Sequence, residues 1–193
     1  MVGFQYKDDA ERFHSELRER LAKFNLSLNE DKTRLLEFGR FANDNRRGRG
    51  GGKPETFNFL GFIHICGKTR NGKFCVRRKS MTKKIRAKLA TIRDELRKRM
   101  HRPIPETGRW LRAVLRGHYQ YYGVPRNSRA LNSFRYWVSH LWHYVLRRRS
   151  DKKTLTWKRM DRIIKRWLPL PRIVHPYPSQ RLGVIIRGRS PVR

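Results

Sequence analysis

Acidic residues are scarce in this chain: 15 Asp and Glu stand against 48 Lys and Arg, a formal net charge of +33. The shortage is uneven. Residues 1–37 carry 7 basic and 8 acidic side chains, net −1, whereas residues 38–193 carry 41 basic and 7 acidic, net +34. A field of one sign this large calls for a polyanion to offset its self-repulsion. Nucleic acid is the expected partner, ahead of a membrane surface or a plain solvated tail. Cysteine is nearly absent. Cys66 and Cys75 are the only two, too few for a four-ligand zinc site. They flank an expected turn, could face each other across a hairpin, and are expected as free thiols of a reducing, cytoplasmic compartment. A signal peptide, an apolar run of membrane-spanning length, a P-loop, an HExxH pair and a nucleophile elbow are all missing, so no membrane partner and no common hydrolase chemistry is expected. Aromatic residues are not scarce. At 11% they exceed what a disordered chain carries, and they indicate a folded protein with a very basic surface.

The most informative stretch begins near Ser80. Met81, Ile85, Leu89, Ile92, Leu96 and Met100 recur every three or four residues, which is one face of an α-helix. Lys83, Lys84, Arg86, Lys88, Arg93, Arg97, Lys98 and Arg99 cover its other faces. One side of this helix suits a protein core and the rest suits phosphates. Lys83, Lys84, Arg86, Lys88, Arg93, Arg97 and, further on, Arg116 are therefore the candidate nucleic-acid contacts. Ser80 is the expected cap, and His101-Arg102-Pro103-Ile104-Pro105 the break. Thr107 is expected to open a helix carrying Trp110, Leu111, Val114, Leu115, His118, Tyr119 and Tyr122, ended by Gly123-Val124-Pro125. Ser128 opens another with Leu131, Phe134, Trp137, Val138, Leu141, Trp142 and Val145, and Arg147-Arg148-Arg149 at its end suits the helix dipole. Thr154 or Thr156 opens the last, with Trp157, Met160, Ile163, Ile164 and Trp167. Beyond Leu168 the Pro-rich basic tail is expected to be extended or partly disordered. The Trp and Tyr residues are expected to supply the core. Tyr121 falls off the apolar face beside Arg116, which makes it the candidate base or ribose contact. His140 and His143 lack further ligands and are expected to pack among aromatics, so no metal site is expected.

The first part reads differently. Val2-Gly3-Phe4 resembles the end of a strand, and Asp8 and Glu11 fit the start of a helix running to Phe24. Asp8-Asp9 fits that helix start better than a metal site. Leu26-Ser27-Leu28 and an Asn- and Asp-rich turn lead to an expected strand, Arg34–Phe38. Gly39–Glu55 reads as a basic loop. Phe57–Ile65 and Lys73–Arg77 read as a β-hairpin around Gly67–Gly72, with Gly61 marking a bulge or the close approach of another backbone. The fold class is therefore α+β: a near-neutral mixed part to about Arg78, then a basic all-α part.

Four segments, Leu28-Asn29-Glu30-Asp31-Lys32-Thr33, Phe59-Leu60-Gly61-Phe62, Arg116-Gly117-His118-Tyr119 and Tyr121-Tyr122-Gly123-Val124, follow one another in an order and spacing that resemble the C-terminal half of group II intron-encoded reverse transcriptases, the maturases. The resemblance extends from about Val2 to Pro178. It implies that residues 1–78 form the C-terminal part of a reverse-transcriptase palm, 79–165 the maturase-specific thumb (domain X), and 166–193 a basic Pro-rich tail. It implies that Lys32 matches a palm lysine that assists pyrophosphate departure, and that Phe59, Leu60, Gly61 and Phe62 are primer-grip-like. It also implies a thumb that grips template–primer duplex and binds group II intron RNA in splicing and retrohoming. Family members carry Tyr-Ala-Asp-Asp just before the segment that Val2-Gly3-Phe4 resembles. That motif, the fingers and the first palm strand are not in this sequence. Such polymerases hold two metal ions on carboxylates. No Asp or Glu here matches that role, so Mg2+ is expected only for a complete reverse transcriptase. A zinc-finger-like endonuclease module is lacking as well. The expectation is a truncated, RNA-binding maturase without polymerase activity of its own. One alternative is a subunit of a split RNA-directed DNA polymerase, needing a partner chain for the catalytic aspartates. Another is a mobile-element relic that binds nucleic acid without specificity. A palm cut through its middle exposes strand edges, so residues 1–78 are expected to fold poorly alone.

Overall fold

The computed structural model describes residues 1–149 and 155–177. The chain divides into two compact units, Met1–Glu55 and one beginning at Thr56. Among the described residues are six helices and one three-stranded antiparallel sheet, an α+β arrangement.

In the first unit, α1 spans Lys7–Ala22 with Tyr6 at the N-cap position. Asp8 is therefore not the cap. With Asp9 it lies in the first turn, where the helix dipole favours a carboxylate. The helix stops at Ala22 rather than Phe24 because Asn25 takes a left-handed φ of 56°. The Leu26 N–H then returns to the Leu21 carbonyl and the Asn25 N–H to that of Ala22, a pairing that closes helix ends. The turn at Asn29 forms as expected, its Oδ1 accepting the Lys32 N–H at 3.0 Å. Arg34–Phe38 is not a strand: a strand needs a partner edge, and none of the described strands pairs with it. Nor is Gly39–Glu55 wholly loop. It contains the short helix α2, Ala42–Gly48, flanked by ion pairs of Arg49 with Glu37 (2.8 Å) and Arg46 with Glu55 (3.5 Å). Only Ala10 and Ala42 are buried apolar residues in this unit, so its core is thin.

The second unit opens with β1 (Phe57–Phe59) and β2 (Phe62–Lys68), where the sequence pattern suggests one strand. Leu60 and Gly61 both have positive φ, 47° and 77°, and reverse the chain in a two-residue turn between paired Phe59 and Phe62. Gly61 is thus a turn residue rather than a bulge. Both a side chain and a backbone approach it: a Cβ there would lie 2.8 Å from the Tyr122 hydroxyl, and the Met81 N–H donates to its carbonyl at 3.0 Å. β2 pairs with β3 (Phe74–Ser80) in a register that sets Cys66 opposite Val76 and Cys75 opposite Gly67. Side chains alternate along a strand, so the two cysteines lie on opposite faces of the sheet. They do not face each other, and neither is in a disulfide.

Four helices follow: α3 (Thr82–Lys98), α4 (Ile104–Tyr122), α5 (Ser128–Arg147) and α6 (Trp157–Trp167). Ser80 does not cap α3. It ends β3, buried, with its N–H donating to Asn127 Oδ1 at 3.1 Å and its Oγ accepting from Asn127 Nδ2 at 2.7 Å. α4 begins three residues before Thr107, because Pro105 fits a first turn whose N–H groups have no helical partner. α5 begins at Ser128 as expected, and α6 follows Thr156, while Thr154 lies outside the described residues. One core joins all four helices, from Ile92 and Leu96 through Leu111, Leu115, Phe134 and Trp142 to Met160 and Ile164. Trp142 is 0% exposed but Trp137 is 53% exposed. The buried stripe of α5 runs through Phe134, Val138, Trp142 and Val145, and Trp137 sits about 100° round the helix from Val138. Trp137 is thus not a core residue.

After α6 the chain is extended through Tyr177 yet anchored. Tyr119 Oη donates to the Pro169 carbonyl at 3.2 Å, and the N–H groups of Val174 and His175 both donate to the Gly123 carbonyl, at 2.8 and 3.0 Å. The remainder of the expected basic tail, 178–193, lies outside the described residues. The composition boundary at 78/79 falls inside this second unit.

Candidate nucleic-acid interface

α3 buries Ile85, Leu89, Ile92 and Leu96 towards the core. One residue before the first two of these, and so about 100° round the helix, stand Lys84 and Lys88, with Ala87 and Thr91 filling the same stripe. α4 presents Ala113, Val114, Gly117, His118, Tyr121 and Tyr122 at matching helical spacing. Between the two stripes lies an open groove of about 550 Å³ lined by these ten residues. No acid lines it. Small side chains on both walls leave the space, lysine heads border one wall, and aromatic rings border the other.

The groove reaches the sheet through two tyrosines. Tyr121 Oη donates to the Leu60 carbonyl at 2.8 Å, and its ring stacks on buried Phe62 at 5.9 Å. Tyr122 packs on Phe62 at 5.1 Å and on His118 at 4.6 Å. Burial, and after it the neighbouring Tyr121, raises the Tyr122 phenol above its ordinary value. His118 is buried and stacks on Phe134 at 3.7 Å. Burial first, and the Lys88 ammonium second, lower its imidazole to about 4. It is therefore neutral near pH 7, and its Nε2 has no hydrogen-bond partner among the described residues.

The structure brings together Lys84, Lys88 and Tyr121 of the sequence-derived candidates, with the Leu60–Phe62 turn beside Tyr121. Lys83 and Arg86 are exposed on α3 away from the groove lining, and Arg116 is exposed on α4 outside it. Arg93 and Arg97 lie further along α3, each paired with Asp94, at 3.3 and 3.8 Å. Phe59 ends β1 and Leu60 is exposed at the turn. Lys32 is exposed in its turn within the first unit. Sequence reasoning placed His118 on the packing face, named Gly117 and His118 otherwise only within a family-like motif, and overlooked Thr91. The alternation of lysine with small residues at positions 84, 87, 88 and 91 was the available signal. His140 and His143 pack on Trp157 at 4.5 and 4.0 Å. Among the described residues no three His, Cys, Asp or Glu side chains come together as metal ligands. No helix among them is long and apolar enough to cross a membrane. No family model, curated protein or solved structure matches the chain, so the maturase resemblance rests on its sequence motifs.

Proposed function

We propose that this protein is an RNA-binding group II intron maturase fragment. In this reading residues 1–78 are the rear of a palm, 79–165 a thumb, and 166–193 a basic tail. It grips intron RNA, or a template–primer duplex, and has no polymerase chemistry of its own. The observation that carries the reading is the acid-free groove between α3 and α4, with Lys84 and Lys88 facing Tyr121. Its wall joins two of the motifs behind the family resemblance, since Tyr121 bonds to Leu60. Structured RNA is recognised mostly by shape, through phosphate and 2′-hydroxyl contacts. A basic groove with a neutral imidazole and a phenol offers donors and acceptors for both.

The test is a titration of the whole chain against the intron RNA neighbouring its gene and a scrambled RNA of equal length. The expected preference for the intron is on the order of a hundredfold, or about 2.7 kcal/mol. Equal binding refutes the maturase reading in favour of a relic. DNA synthesis on adding a chain that carries the missing catalytic aspartates refutes it in favour of a split polymerase.

A further inference from the structure

Helix α5 has an exposed aromatic face that shares no residue with the groove. Tyr136 and Trp137 are each 53% exposed, Tyr144 is 51% and Trp157, at the start of α6, is 46%. The rings are linked. Trp137 packs edge-on against Tyr136 at 5.4 Å, and His140 bridges Tyr136 (4.2 Å) to Trp157 (4.5 Å). Tyr136, His140 and Tyr144 repeat every four residues, so they form one stripe along α5. Arg148 closes the stripe, its guanidinium 5.7 Å from the Tyr144 ring and donating to the Tyr144 hydroxyl at 3.1 Å. α5 contains no acidic residue, and Asp161 on α6 is taken up by Lys165 at 2.7 Å.

Large aromatic residues grouped on a surface mark a binding site, because their water-exposed faces are unfavourable unless covered. The charge decides the occupant. A ligand that covers flat rings while neutralising arginine must carry both π-faces and negative charge, and unpaired nucleotides carry both. We propose that Tyr136, Trp137, Tyr144 and Trp157 form a stacking platform for single-stranded nucleic acid, with Arg148 contacting its phosphates. Bases stack on the rings in a sequence-tolerant way. The platform goes beyond the groove reading: it holds an unpaired strand, whereas the groove takes structured RNA.

The experiment compares full-length wild type with the double variant Trp137→Ala/Tyr144→Ala, using a short oligouridylate and a blunt RNA duplex as probes. Losing two stacking rings should weaken oligouridylate binding at least tenfold and leave duplex binding unchanged. Trp137→Phe/Tyr144→Phe should retain most of the affinity, because the stacking faces remain. An unchanged melting temperature certifies the fold. Independently of any variant, saturating oligouridylate should quench wild-type tryptophan emission. Absence of quenching overturns the platform, and so does an equal loss on duplex and single strand. Wild type that sediments as a dimer while Trp137→Ala sediments as a monomer also overturns it, because the face is then a contact between copies. Failure of the groove reading shows separately, as duplex binding that survives Lys84→Gln/Lys88→Gln.

Discussion

Asn127 ties the end of β3 to the end of α4. One side chain accepts the Ser80 N–H and donates to the Ser80 hydroxyl and, at 2.9 Å, to the Tyr122 carbonyl. Both Asn127 and Ser80 are buried. Asn127→Ala leaves a buried N–H and a hydroxyl without partners, so unfolding in urea should show a loss of about 3 kcal/mol. Arginines have similar duties. Arg149 donates to the Met100 and Arg102 carbonyls in the connection between α3 and α4, and Arg112 to those of Arg166 and Trp167 at the end of α6. A count of positive charges cannot separate these from Lys84 and Lys88. His118 gives a pH signature. Its folded value, about 4, lies below the ordinary 6.5, so the unfolded chain binds the extra proton between those values. Stability is therefore complete above pH 6.5 and falls as the pH drops towards 4, by on the order of 2 kcal/mol after allowing for solvent at the groove mouth. Urea titrations at about pH 7.5 and about pH 4.5 should show that loss shrinking in His118→Phe. An equal loss in both proteins would remove His118 as its cause.

At the level of elements, the groove depends on what α4 omits. A Cβ on Gly117 would meet nothing within 4 Å, so this glycine leaves space rather than avoiding a clash. Gly117→Ala should stabilise the helix by about 0.5–1 kcal/mol. Gly117→Tyr should also fold, yet fill the groove and weaken RNA binding about tenfold, roughly 1.4 kcal/mol. Normal RNA binding by the Tyr variant would place the interface elsewhere. The helices α3 to α6 were legible in the sequence because each has a long apolar period. Their first residues were less legible, since Ser80 and Thr107 are good caps that the tertiary structure uses as buried polar residues. The strand expected at Arg34–Phe38 failed for the opposite reason: its local pattern was right, but pairing is not a local property. Leu60-Gly61 was hidden because leucine rarely takes a positive φ, whereas asparagine before glycine would have announced the turn. Part of the candidate site was visible as well: the lysines by their charge and Tyr121 by its place off the apolar face, whereas His118 and Tyr122 on the facing wall read as core.

Across the whole molecule, the charge of +33 makes affinity a function of salt. Each phosphate contact removed should lower the slope of log affinity against log salt by about one, so Lys84→Gln/Lys88→Gln should lower it by about two. An unchanged slope would mean that these lysines sit in the field without touching phosphate. The two compact units differ in what holds them. The unit from Thr56 has a continuous core, whereas Met1–Glu55 relies on exposed ion pairs, which contribute little.

The turn at Leu60-Gly61 also does something for α3. The Gly61 carbonyl accepts the N–H of Met81, the N-cap residue of α3, at 3.0 Å, while Tyr121 holds the Leu60 carbonyl next to it. The start of the lysine-bearing helix is thus latched to the hairpin by one main-chain bond, and the hairpin is latched to the opposite groove wall. Exchange of the Met81 amide with solvent deuterium then reports whether the two walls are held at a fixed separation. A ligand that draws Tyr121 away from Leu60 speeds that exchange, and one that settles between the walls slows it.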